Sequence, residues 1–123
     1  GDSITVHSPE HRRAFCYVDD AVEMLGRMAA NENCEGVTLN LGTQTPEVTI
    51  REVVQTCVEV SRKSLSLEEL PPTIGSPERR APDMKKANRL LEYESQVRLR
   101  CGIEKTWHWY CNNVFKSCGL TAQ

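Results

Sequence analysis

At 123 residues the chain is one domain at most, large enough to bury a real core. A formal charge of −2 argues against a nucleic-acid binder, which needs a dominant positive face, and no apolar run is long enough to span a bilayer. The first residues lack a charged-then-apolar leader pattern, and a start at Gly1-Asp2 suggests a processed or excised segment.

Ile4 to His7 reads as a short strand, and Ser8-Pro9-Glu10 as a turn. Phe15 to Val18, rich in aromatic and β-branched residues, reads as a second strand, with Arg13 at its mouth. Asp20 and Glu23 have the spacing of a capping box, so a helix is expected from about Asp20 to Asn31. Ala21, Val22, Leu25, Met28 and Ala29 would form its inward face. Val37 to Leu41 has the strongest strand pattern in the chain. Thr49 and Glu52 form a second capping box, opening a helix with the apolar stripe Ile50, Val53, Val54, Cys57 and Val58. Leu65 to Leu70 alternates apolar and polar residues, so strand, helix and strand would make a βαβ unit.

Residues 71–83 contain four prolines, which should exclude regular helix or sheet. Such a segment is a linker or a functional loop, and this one carries Arg79-Arg80. Asp83 can cap a helix through about Leu91, with Ala87, Leu90 and Leu91 inward. A last helix begins between Leu99 and Gly102, with Ile103, Trp107, Tyr110 and Val114 on its buried face and Trp109 off it. Residues 117–123 read as a frayed tail.

Six cysteines, at 16, 34, 57, 101, 111 and 118, include no Cys-x-x-Cys pair, so no zinc ribbon or thioredoxin-type site is supported. Cys16 and Cys57 fall in apolar patterns and read as small buried hydrophobes, in a reduced, cytoplasmic protein. There is no P-loop, no glycine-rich dinucleotide turn and no nucleophile elbow. His7, His11 and His108 stand in three separate places, and His108 suits a structural or surface role. The chemistry left is that of cations. Arg13 and Arg79-Arg80 sit in loops beside rigid elements, and two guanidinium forks meeting on one ligand would suit a diphosphate. Nothing in the spacing shows whether they meet.

Taken in order, these segments resemble one family. Ile4-Thr5-Val6-His7 with Arg13-Ala14-Phe15-Cys16-Tyr17-Val18-Asp19-Asp20 is similar to the pattern ITVYG…QTRxFxYVxD. Asn40-Leu41-Gly42 with Thr49-Ile50-Arg51-Glu52 resembles NLG…(S/T)IxE, and residues 77–87 resemble DPxxRxPDIxKA. Gly102-Ile103-Glu104-Lys105-Thr106 with Trp109-Tyr110 resembles the ending GIxxT…WY. The family is the extended short-chain dehydrogenase/reductases acting on nucleotide sugars, the NAD-dependent epimerases and dehydratases. The proline-loop motif most resembles UDP-glucuronate decarboxylases (UDP-xylose synthases). Departures from the pattern are His7 for Tyr, Ser8 for Gly, His11 for Gln, and Gly75-Ser76 for an acidic pair.

The resemblance implies an α/β fold: a small sheet with a βαβ unit and flanking helices, the C-terminal nucleotide-sugar-binding portion of such an enzyme across residues 1–123. It implies that the NAD-binding Rossmann half and its Tyr-x-x-x-Lys pair lie elsewhere, so the chain is a fragment, inactive alone and binding no NAD itself. It implies that Arg13 contacts the nucleotide diphosphate, that Arg80 approaches the same ligand from the loop 71–83, and that Thr5, Val6 and His7 lie near the base. The partners implied are a nucleotide sugar, the missing Rossmann half and a second copy in a homodimer, with no nucleic acid and no membrane. A free-standing binding or assembly module that keeps the fold without catalysis is the other reading.

Overall fold

A computed structural model describes residues 2–115; the tail at 117–123, with Cys118, lies outside the described residues. The elements are β1 (Ser3–His7), β2 (Arg12–Arg13), α1 (Val18–Ala30), β3 (Val48–Thr49), α2 (Ile50–Ser61), β4 (Ser66–Leu70), β5 (Arg79–Arg80), α3 (Lys85–Leu91) and α4 (Leu99–Asn113). They confirm a small α/β fold, with the strands in two small sheets. β1 and β4 pair in parallel, with Thr5 opposite Glu68 and His7 opposite Leu70. The second sheet has the order β3-β2-β5, antiparallel then parallel. Among the described residues no helix is long and apolar enough to cross a membrane.

The main core joins α1, α3 and the segment between α1 and β3. Met24, Cys34, Met84, Ala87 and Leu91 are buried there, with Met28, Leu39, Leu41, Leu90 and Tyr93 packed against them. α2 lies on α4, and its capping box forms as expected: the Thr49 hydroxyl accepts from the Glu52 amide, and the Glu52 carboxylate accepts from the Thr49 amide at 2.6 Å. α3 begins at Lys85, whose amide donates to the Asp83 carboxylate at 3.0 Å, and Ala87 and Leu91 are buried.

Several expectations are corrected, and most for one reason: a local pattern is overridden by a tertiary partner. Phe15 to Val18 is not a strand. Val18 already belongs to α1, and pairing stops at Arg13. Asp20 does not cap α1, which opens at Tyr17 without a side-chain cap. Its carboxylate instead turns into the protein and accepts the Tyr93 hydroxyl at 2.6 Å and the Gln96 and Val97 amides at 2.9 Å each. Those bonds fix the rotation of α1. Met24 and Met28 face the core, while Val22 and Leu25 are left more than half exposed. Glu23, the expected partner in the box, bonds Arg27 one turn on.

Val37 to Leu41 keeps the alternating half-buried and exposed pattern of a strand, yet it forms none among the described residues. An extended segment becomes a strand only when a neighbour takes its amides and carbonyls. The βαβ unit is therefore not the one expected: β4 finds its parallel partner in β1. The proline-rich loop is not wholly irregular either, since Arg79–Arg80 pairs with β2. Tyr110 is 43 % exposed rather than buried, stacked edge-on against Trp109, which lies off the buried face as expected. Cys57 is exposed on α2 where a buried thiol was expected, and Cys16 is half-buried.

Candidate functional site

β2 and β5 pair in register, Arg12 beside Arg79 and Arg13 beside Arg80. Residues opposite one another in a sheet share a face, so Arg13 and Arg80 lie on one face and Arg12 and Arg79 on the other. The two arginine sites thus meet, although 66 positions separate Arg13 from Arg79 in the sequence. The sheet forms because the loop carbonyl of Glu78 accepts the Arg12 amide at 2.8 Å, which starts the ladder.

The two faces differ in charge. Arg79 donates to both oxygens of Glu47 at 2.7 Å, and that hydrogen bond holds the Glu47 carboxyl below its ordinary range. Arg12 adds to the same field and also acts on Glu52 at the start of α2. On the other face Arg13 has no carboxylate. Its guanidinium donates to the carbonyls of Arg12 at 2.7 Å and Pro77 at 2.9 Å, with longer contacts to Ser76 Oγ at 3.4 Å and Glu78 O at 3.5 Å. The Arg80 side chain has no hydrogen bond or ion pair among the described residues. Two arginines without a counter-charge thus stand in register on one face, and a dianionic group could be held by such a pair.

On β1, Thr5 and His7 are exposed and Val6 is buried, so only the first two present side chains outward. β1 pairs on one edge, with β4, and its other backbone edge is unpaired among the described residues. Sequence reasoning missed the groups that seat the loop. Ser8 Oγ accepts the Thr73 amide at 3.0 Å, and His11, buried, places Nδ1 3.4 Å from Ser76 Oγ. Ser8 and His11 lie 65 positions from their partners, and no local pattern signals a contact of that span. His108 is on the surface, with Nε2 2.8 Å from Asn112, and takes no part.

A second concavity, an apolar groove of about 420 Å³, lies between residues 15–17, α2 and α4, with Phe15, Tyr17, Val60, Ile103 and Trp107 on its walls. Cys57 opens onto it, which explains its exposure, and partial burial pushes its thiol up. Among the described residues no group of three or more His, Cys, Asp or Glu side chains could hold a metal ion. The starts of α1 and α2 offer no open row of amides to a phosphate. α1 opens on Tyr17-Val18-Asp19-Asp20, and at α2 the Thr49 hydroxyl and the Glu52 carboxylate already fill the capping positions.

No family model matches the chain. It is 34% identical over 104 residues to UDP-glucuronic acid decarboxylase 6 of Arabidopsis thaliana, across 84% of this chain and 29% of that protein. The chain therefore spans less than a third of that relative's length. Among solved structures, an epimerase from Methanothermobacter thermautotrophicus superposes with a TM-score of 0.87 at 26% identity, over 97% of this chain and 36% of its own. The UDP-glucuronic acid 4-epimerase of Bacillus cereus, in complex with UDP-glucuronic acid and NAD, gives a TM-score of 0.76 at 25% identity, over 87% and 34%. Motif order and these likenesses agree: the chain belongs to the extended short-chain dehydrogenase/reductase family that includes the UDP-glucuronic acid decarboxylases.

Proposed function

We propose that this chain is the nucleotide-sugar-binding portion of an NAD-dependent enzyme that decarboxylates, epimerises or dehydrates a UDP-sugar. The observation that carries the reading is the in-register pairing of β2 with β5, which sets two guanidinium groups without counter-charge on one face. Arg13 and Arg80 bind the diphosphate. Thr5 and His7, with the backbone at Val6, run beside the base. The decarboxylase relative and the epimerase complex with UDP-glucuronic acid support this choice of ligand. NAD and the proton-transferring pair belong to the remainder of the enzyme, and this portion alone neither binds NAD nor catalyses. Its free thiols suit a reducing compartment, the cytoplasm. The exposed apolar side of α1 is covered by the NAD-binding half or, in its absence, by a second copy.

The test is the dissociation constant of UDP for the protein and four single variants. A hydrogen bond to a charged group contributes about 1.5–3 kcal/mol. Arg13→Ala and Arg80→Ala should therefore each weaken UDP binding roughly ten- to hundredfold. Arg12→Ala and Arg79→Ala, on the opposite face beside Glu47, should cost much less. Equal losses at Arg12 and Arg13, or no loss at Arg80, would replace two placed forks with a diffuse basic field.

A further inference from the structure

Ser8 sits at φ +53°, in the left-handed region where a side chain is strained and glycine is not. The turn alone gives no reason for serine there. The hydroxyl has one: it is buried and accepts the Thr73 amide at 3.0 Å. From that point the loop runs beside residues 8–13 through a series of contacts. Ser76 lies 3.4 Å from both His11 Nδ1 and Arg13 Nη2, Pro77 O takes Arg13 at 2.9 Å, and Glu78 O takes the Arg12 amide at 2.8 Å. Arg80 then falls into register beside Arg13.

We infer that Ser8 is a positioning residue of the anion site: its hydroxyl anchors the near end of the proline-rich loop, so that Arg80 is held beside Arg13 before the ligand arrives. The inference rests on the reading of Arg13 and Arg80 as diphosphate ligands. Without the anchor, the stretch from the end of β4 to Glu78 keeps its prolines but gains conformations, and binding must then supply the ordering.

Strain and anchoring make opposite contributions at this residue, which separates positioning from a merely structural role. Ser8→Gly removes the hydroxyl and relieves the left-handed strain. Its melting temperature should hold or rise, the Thr73 amide should exchange with deuterium about tenfold faster, and UDP binding should weaken about three- to tenfold, the scale of one neutral hydrogen bond. Ser8→Ala removes the hydroxyl and keeps the strain, so both stability and UDP affinity should fall. The experiment is UDP titration and hydrogen exchange on the full-length protein, its two Ser8 variants and Arg13→Ala. Unchanged Thr73 exchange in Ser8→Gly, or faster exchange with wild-type UDP affinity, would overturn the role of Ser8 while Arg13→Ala still weakens binding. Wild-type affinity in Arg13→Ala, or no UDP binding by any form, would overturn the diphosphate site itself and the inference with it.

Discussion

Asp20 is the residue on which the orientation of α1 depends. Burial pushes its carboxyl up, but hydrogen bonds from Tyr93, Gln96 and Val97 together outweigh that and leave it below the ordinary carboxylate value of 3.8. The same bond pushes the Tyr93 hydroxyl up to about 12, by favouring its protonated form. A carboxylate whose pKa is lowered on folding adds stability that is complete above the unfolded value. That stability is lost as pH falls through the folded one. Asp20 thus contributes fully above about pH 4, and the contribution fades below it. In Asp20→Asn the amide turns a donor toward groups that already donate, so a buried N–H or hydroxyl loses its acceptor. The cost should be about 2–3 kcal/mol at neutral pH. Urea unfolding of both proteins between pH 3 and 7 checks this. The gap between them should narrow toward the acid end, and a constant gap would mean that the charge on Asp20 is not what matters.

Two elements owe their ends or their approach to single residues. α2 starts at a reciprocal capping box, and Thr49→Ala removes its side-chain acceptor. The loss should be about 1 kcal/mol, within the range for N-cap replacement. Glu52→Ala should cost less after Thr49→Ala than alone, because the two side chains act as a unit. Thermal unfolding of the double-mutant cycle measures that coupling. α4 comes close to the segment before α1 at Gly102, where an added Cβ would sit 3.2 Å from a Tyr17 ring carbon. In Gly102→Ala a helix-propensity gain of about 1 kcal/mol offsets the tight contact, so the stability should barely move. Gly102→Val adds bulk against the same ring and should destabilise by about 1–3 kcal/mol, read as a lower melting temperature. A stable Gly102→Val would show that Tyr17 can move aside freely.

At the scale of the whole molecule, α1 is apolar on two sides and buries one. Met24 is fully enclosed, while Val18, Val22 and Leu25 are each more than half exposed at spacings of four and three. A contiguous apolar stripe of that kind ordinarily meets a partner. Nearby in the fold, Val37 to Leu41 packs Leu39 and Leu41 on the core but has no strand beside it among the described residues. Both features fit a chain that spans 29% of a relative's length. The expected outcome is self-association of the chain when it is studied alone, seen by light scattering as mass rising with concentration. Val22→Glu combined with Leu25→Glu should return it to a monomer with little change in melting temperature, since neither side chain is buried. Monomeric behaviour of the unsubstituted chain at high concentration would refute it.

The sequence by itself determined the elements whose signals are local. The Thr49–Glu52 box and the Ala87–Leu91 face are signalled within a few residues, and each appears where its pattern put it. The alternation of Leu65 to Leu70 marked β4 in the same way, although β1 completes it as a strand. The family too was legible, because four motifs in order and spacing carry more information than any one of them. Only the tertiary structure decided whether Arg13 and Arg80 meet, because strand pairing joins residues by register, and register across 66 intervening positions leaves no mark on either strand. It also decided Asp20, whose carboxylate could satisfy a helix end or the backbone of residues 96 and 97 and took the second. And it decided Val37 to Leu41, whose pattern is that of a strand, because pattern chooses which face is buried while only a neighbouring chain can complete the hydrogen bonds.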